Sequence, residues 1–359
     1  MNPKKKSSKR PAPAAKGAAK TPRKTAPRSA TPRKKSPALR GFSAKTSDKH
    51  DLYQRSVQDA DAELKFIDRV FRTRGRKALS LREDFCGTAL VCAQWAKSDD
   101  KRTATGLDLD RETLDWGIEH NVSPIGDAAK RVTLLEQDVC DPVGSGRRRP
   151  LFDVTLALNF SYWVFKTRES MRAYFTNVLR SLESDGAFIL DAYGGWESQE
   201  PMLEPRKIKG GFTYVWDQDG FDPISHDILN HIHFEFKDGT KLDRAFSYDW
   251  RFWSLPEIQE LLREAGFEQV EIWWDDTSDE EDANYLPRKH VSNQPGWIAY
   301  IVATPKTSKQ LTRAAELLDS TRRKRKASSK RAPATRAPAT RAPATRAPAT
   351  RAPATRGRR

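Results

Sequence analysis

Polar and mostly acidic residues recur along the middle of this sequence, each at the end of a short apolar run. Glu83 and Asp84 follow KALSLR, Asp108 and Asp110 close TATGLDLD, Asp138 follows VTLLEQ, Asn159 follows DVTLAL, and Asp191 follows AFIL. Carboxylates and amides in such places can accept hydrogen bonds from a small polar ligand, and carboxylates also attract cationic groups. One polar strand end is ordinary, because every strand must stop; five together describe a binding crevice. The first run leads into DFCGTA, a turn with glycine at 87. His231 and His233 alternate within HDILNHIHFEF and share one strand face. A metal pair needs a third ligand and none is apparent, so no metal site is expected.

The elements that carry these residues can be read from their periodicity. DLYQRSVQDADAELKFIDRVFRTR (51–74) has mostly helical spacing and reads as one or two helices closed by Gly75. Then come a strand at 77–81, the turn, a helix over about 88–97, a strand at 103–110, a helix at 111–121 and a strand at 131–139. FDVTLALNF (152–160) is apolar on both faces, as buried parallel strands are. A helix at 169–182 and a strand at 187–193 follow, joined by Asp185-Gly186. This β-α-β-α alternation implies a doubly wound, Rossmann-like, mostly parallel α/β sheet, with ligands at the carboxyl ends of its strands. Residues 206–250 change rhythm and read as an antiparallel hairpin insert, a lid or wall over the crevice. A helix at 255–267 capped at Gly266, a strand at 269–274, an acidic loop at 275–282 and a closing strand at 296–305 complete the domain, 48–304.

The 359-residue chain carries a net charge of +16, but unevenly. Residues 1–47 hold 15 Lys/Arg and no acid; 304–359 hold 17 Lys/Arg against Glu316 and Asp319; the body between holds 32 basic and 46 acidic residues. It is an acidic body with two basic arms, 1–47 and 305–359. The arms have too little apolar surface to offset chain entropy and are expected to be disordered. The second ends in five tandem copies of APATR over 332–356, too short and Pro-rich a period for a packed solenoid. Such arms resemble histone tails and imply nonspecific DNA or RNA attraction. Cys86, Cys92 and Cys140 lack disulfide-framework or zinc-site spacing and suit a reducing compartment. No apolar run approaches a membrane span, and the basic N-terminus has no apolar segment of a secretory signal. A cytoplasmic location is expected, with nucleoid or chromatin association open. Oligomeric state is not legible.

Residues 78–193 resemble class I S-adenosylmethionine-dependent methyltransferases, and 246–304 resemble the way many small-molecule members end. The resemblance rests on LSLREDFCGTA, ATGLDLDRETLDWG, LLEQDVCDP and LNFSYWVF. It implies S-adenosylmethionine as cofactor. Glu83 takes the place of the acid facing the methionyl ammonium, and Phe85, Gly87 and Ala89 fall on the three glycines of the family's turn. Only Gly87 keeps the glycine; a side chain at 85 implies negative φ there. Asp108 falls on the acid that holds both ribose hydroxyls, with Asp110 capping the next helix; the plain alternative is that both acids only cap it. Asp138 and Val139 fall beside the adenine. Asn159, Tyr162 and Trp163 fall where the acceptor meets the methyl, and Arg251 and Trp253 are candidates for the acceptor pocket. Tyr53 lies in the leading helix, which often folds over the cofactor. Ordinary core packing is the alternative for these aromatics.

The reading favoured is methyl transfer to a small or medium-sized acceptor. A nucleic-acid or protein methyltransferase recruited by its arms is the alternative; NFSY (159–162) lacks the two prolines of nucleobase amine methylases. A non-catalytic polyanion binder is the third.

Overall fold

The computed structural model describes residues 42–144, 149–275 and 284–305. The expected arms beyond 42 and 305, with the APATR repeats, and most of the acidic loop lie outside the described residues. Helix α1 (Lys49–Val57) starts where the Asp48 carboxylate accepts from the backbone N–H groups of His50 and Asp51. Helix α2 (Ala60–Arg72) restarts at Asp59, whose side chain accepts from Ala62 N; its buried Leu64, Ile67 and Phe71 recur at helical spacing. The leading segment is thus two helices with a cap between them.

The expected alternation follows: β1 (Ser80–Asp84), α3 (Leu90–Ser98), β2 (Thr103–Asp108), α4 (Arg111–Gly117), β3 (Val132–Glu136), β4 (Phe152–Ala157), α5 (Arg168–Ser181) and β5 (Leu182–Gly194). Strands β6 (Met202–Ile208), β7 (Phe212–Phe221), β8 (Asp227–Phe236) and β9 (Lys241–Arg251) form a separate antiparallel sheet in sequence order. Helix α6 (Leu255–Ala265) begins with a capping box between Ser254 and Glu257 and ends at Gly266, whose φ of 108° suits glycine. Strands β10 (Gln269–Asp275), β11 (Tyr285–Arg288) and β12 (Trp297–Thr304) return to the main sheet. Its order is β11-β10-β12-β5-β4-β1-β2-β3. The pairs β1–β2, β2–β3, β1–β4 and β4–β5 are parallel, and β12 pairs antiparallel with β5. Strand order reverses at β1, which has β2 on one side and β4 on the other, so the crevice opens there.

Three expectations change. The first strand is 80–84 rather than 77–81, which puts Glu83 and Asp84 inside it. They tolerate burial because each has partners. Arg82, fully buried, donates from Nε to Asp84 Oδ1 at 2.6 Å and from Nη2 to Oδ2 at 3.1 Å. Tyr174 of α5 donates to the same carboxylate at 2.9 Å, and Arg82 also donates to the Val139 carbonyl at 2.9 Å. The insert begins at Met202, with an edge strand that contains Pro205; proline is tolerated there because one edge needs no ladder donor. Residues 42–47, assigned to the arm, lie on the insert sheet: Phe42 meets the edge of Phe212 at 5.1 Å, and Ala44 N donates to Thr240 Oγ1 at 3.0 Å.

Removing one partner of a buried ion pair leaves the other charged and unpaired. Asp84→Ala is expected to cost about 3–5 kcal/mol of stability, read as a lower urea midpoint; a midpoint within error of the parent would show that the pair is dispensable.

Candidate functional site

The turn after β1 keeps a left-handed backbone at the three positions aligned with the family's glycines: φ is 57° at Phe85, 52° at Gly87 and 54° at Ala89. The negative φ expected at Phe85 is therefore wrong. Its backbone takes the glycine conformation, and the ring is accommodated by packing inward, 6.1 Å from Phe165 and 5.9 Å from Tyr174. It is half-buried and packs against the main core. At Gly87 an added Cβ would meet nothing within 4 Å, so the backbone there faces open space. At Gly117 of α4, by contrast, an added Cβ would lie 2.4 Å from the Thr88 carbonyl oxygen, so this turn and α4 touch backbone to backbone.

Asp108, at the end of β2, latches the turn. Its Oδ2 accepts from Gly87 N at 2.7 Å and its Oδ1 from Asp110 N at 3.0 Å. Each oxygen has a lone pair left for a ligand. Asp110 caps α4, accepting from Glu112 N at 3.0 Å and Thr113 N at 3.2 Å. Between them Leu109 is 69% exposed, an apolar side chain standing in solvent beside the two acids. The sequence reading passed over it, though an apolar residue between two strand-end acids was there to be noticed. Asp138 is exposed and accepts from Cys140 N at 2.8 Å. Val139 is buried in the core, and its carbonyl is held by Arg82 and Asn177. It offers less open apolar surface than the resemblance implied.

A cavity of about 930 Å³ lies between the carboxyl end of the main sheet and the insert sheet. Of the expected acceptor and lid residues, Tyr53 and Asn159 line it. Tyr162, Trp163, Arg251 and Trp253 do not, and that assignment is corrected. Tyr162 is buried and donates to the Asp191 carbonyl at 2.7 Å. Trp163 is buried behind Tyr193, its ring stacked on it at 4.8 Å. Arg251 lies over Trp253 at 3.9 Å and donates to the Lys166 carbonyl at 3.1 Å, while Trp253 donates to the Phe165 carbonyl at 3.1 Å. These four brace the wall from behind.

The wall itself is built by Asp191. Asn159 and Phe160, directly after β4, both have left-handed φ, 56° and 58°. This is a strained conformation for non-glycine residues and persists only where the surroundings hold it. Here the Asp191 carboxylate does so, accepting from both N–H groups at 2.9 Å. Burial raises its pKa to about 7 against those hydrogen bonds. Glu83 is raised to about 7 as well, by burial first, although Cys92 N donates to it at 3.1 Å. Glu63 of α2 also lines the cavity; burial, then the charges of Glu83 and Asp191, push it well above the usual carboxylate range. Neither Glu63 nor the wall-building role of Asp191 was foreseen. Asp191 was visible as a strand end, whereas Glu63 looks like any acid in the first turn of a helix.

Of the two histidines, His233 is held by carboxylates and His231 by a hydroxyl. His233 sits between Asp217 at 3.0 Å and Asp243 at 2.6 Å, and His231 meets Ser247 Oγ at 2.7 Å. Among the described residues no group of three side chains could hold a metal ion.

As pH rises from about 4.5 to about 7, Glu83 ionises in the unfolded chain while it stays protonated in the folded one. Stability that is present at low pH is lost across that window, about 3 kcal/mol for this group at most. Glu83→Gln, which keeps the acceptor for Cys92 N, is expected to gain on the parent as pH rises from 4.5 to 7.5, in urea unfolding followed at each pH. Parallel pH profiles would contradict the raised pKa.

No protein-family model matches the sequence, and no curated protein sequence does. Solved structures do match in shape. An S-adenosylmethionine-dependent methyltransferase from Clostridium acetobutylicum is 15% identical over 72% of this chain and 98% of its own, with a TM-score of 0.53. DesVI from Streptomyces venezuelae is 18% identical over 72% of this chain and 99% of its own, at 0.52. A sugar N-methyltransferase from a Streptoalloteichus species is 16% identical over 73% of this chain and 94% of its own, at 0.51. At these identities the likeness is one of architecture, and with the sheet order, the left-handed turn after β1 and the acid closing β2 it establishes that residues 42–305 have the fold of class I S-adenosylmethionine-dependent methyltransferases.

Proposed function

We propose that this chain is an S-adenosylmethionine-dependent methyltransferase acting on a small or medium-sized acceptor held in the cavity between its two sheets. The observation that carries the reading is the turn after β1. It keeps the left-handed backbone at 85, 87 and 89 although two of the three residues are not glycine, and Asp108 fastens it at Gly87 N. The residues present fit the cofactor: the backbone is open at Gly87, the Phe85 ring packs on Phe165 and Tyr174, and Asp108 keeps acceptor capacity.

In this reading Asp108 binds the ribose hydroxyls, Glu83 faces the methionyl ammonium, and Asp138 with Leu109 borders the adenine. The bound sulfonium supplies an electrophilic methyl group. The chain's own part is to position and to exclude water, which supplies much of the rate where the acceptor brings its own lone pair. Asn159 and Phe160, set by Asp191, form the border between the methyl site and the cavity. Tyr53, whose ring meets that of Phe246 in β9 at 5.1 Å, ties the leading helix to the insert and closes the cavity on that side.

Asp108→Ala should weaken S-adenosylmethionine binding on the order of 100-fold, measured by calorimetry on a variant shown by circular dichroism to be folded. Unchanged affinity would remove the cofactor assignment.

The charge distribution favours a second, separable property. Two arms of net +15 flank an acidic body, so we infer that the arms attract nucleic acid without sequence preference. The full chain should be retained on DNA at roughly 150 mM salt, and a chain lacking 1–41 and 306–359 should not. Equal retention of both would place the determinant in the body.

A further inference from the structure

The cavity has a chemical character of its own. Six of its lining residues are carboxylic acids, against a single basic one, Arg206. That guanidinium is committed: it donates to the Ser56 carbonyl and lies over the Tyr214 ring at 5.1 Å. The rest of the wall is largely aromatic. Tyr53, Phe160, Tyr193, Trp216, Tyr248 and Trp250 all border the space, with Tyr248 stacked on Trp250 at 4.4 Å. Ring faces attract cations and carboxylates pair with them, whereas an anionic acceptor would find no free positive partner among the described lining residues.

One side chain points to a missing partner. Glu63 is 9% exposed and borders the cavity, and its Oε2 has no hydrogen-bond partner. A buried, unsatisfied carboxyl oxygen costs free energy in the empty fold, and a hydrogen-bond donor brought in by a ligand would relieve it. Asp191 differs, because both its oxygens already serve Asn159 and Phe160. Of the two buried carboxyl groups that line the cavity, Glu63 is therefore the one with capacity to spare.

We propose that the acceptor is an amine that enters the cavity as an ammonium ion, held by the aromatic faces and by a hydrogen bond to Glu63 Oε2. The inference rests on the methyl-transfer reading for its chemistry, but not for its binding. An ammonium nitrogen has no lone pair, so one N–H bond must break before the nitrogen can react; the bonding pair stays on nitrogen and the proton forms an O–H bond at Glu63 Oε2. The step requires Glu63 as the carboxylate, the form that an entering cation favours; burial, which disfavours that charge, makes the carboxylate a stronger proton acceptor than an exposed one.

The test uses the full chain without cofactor and follows intrinsic tryptophan fluorescence, since Trp216 and Trp250 border the cavity. Cyclohexylamine, an ammonium ion at neutral pH, is compared with cyclohexanol and cyclohexanecarboxylate. The amine should bind at least about tenfold more tightly than the alcohol, with the carboxylate weakest. In Glu63→Gln the preference for the amine should fall toward parity. Equal binding of amine and alcohol, a preference for the carboxylate, or a full amine preference in Glu63→Gln would each overturn the proposal. If Glu63→Gln does not fold, the ranking in the parent chain decides. Calorimetry with S-adenosylmethionine on the same preparation separates the two claims. Cofactor binding without an amine preference overturns the acceptor class alone; an amine preference without cofactor binding overturns the methyl-transfer reading alone.

Discussion

The crevice depends on a backbone that turns left-handed at alternate residues directly after β1. For a residue with a side chain each such turn costs roughly 1–2 kcal/mol. Two of the three positions here carry a side chain, and each cost is offset locally. The Phe85 ring joins Phe165 and Tyr174 in the core, and Ala89 is fully buried where α3 begins. Beneath them the Arg82–Asp84 pair ties β1 to α5 through Tyr174 and to the loop after β3 through the Val139 carbonyl. The same ring of Tyr174 that packs on Phe85 thus carries the hydroxyl that satisfies Asp84. Turn and ion pair support one another, which lets Phe85 stand where a glycine is usual.

A second carboxylate repeats this arrangement one strand away. Asp108 holds Gly87 N, and Asp191 holds Asn159 N and Phe160 N. In both places an acid at a strand's carboxyl end fixes a left-handed turn on the neighbouring strand. The acids at strand ends were legible as a series, and so was the α/β alternation, because apolar runs of strand and helix length differ plainly in this sequence. Their use was less legible. A sequence shows that an acid stands at a strand end but not whether it faces a ligand or the turn next door; Asp108 has capacity for both, whereas Asp191 serves the turn.

The aromatic segments misled for a related reason. SYWVF and RFW contain the residue types that suit a cationic reaction centre, and the same types fill cores. Tyr162, Trp163 and Trp253 are fully buried, with hydroxyl or indole satisfied by carbonyls where a partner exists. The rings that border the cavity come instead from α1, from the turn after β4, from the insert strands β7 and β9 and from β5 and β10 to β12, and in β7 and β9 strand alternation turns every second side chain inward. Which alternate set faces the cavity depends on how the insert sheet lies over the main sheet. No local pattern carries that information. Glu63 is hidden more deeply still, since its neighbours Glu83 and Asp191 come from strands far along the chain.

Three carboxyl groups with raised pKa values, Glu63, Glu83 and Asp191, are an expensive feature of the folded chain. Burial opposes their ionisation, and mutual repulsion adds to it at Glu63. At 83 a Gln would retain the acceptor for Cys92 N without a charge, whereas at 191 an Asn would keep only one of the two acceptors that Asn159 N and Phe160 N use. An acid kept where an amide would serve is one whose charge itself has a use. A cation entering the crevice would favour the ionised forms and recover part of what burial costs, so the free energy withheld from folding would reappear as binding. This couples the raised carboxyl groups to the aromatic cavity: both select positive charge, and the acidic body that surrounds them extends the same preference beyond the site.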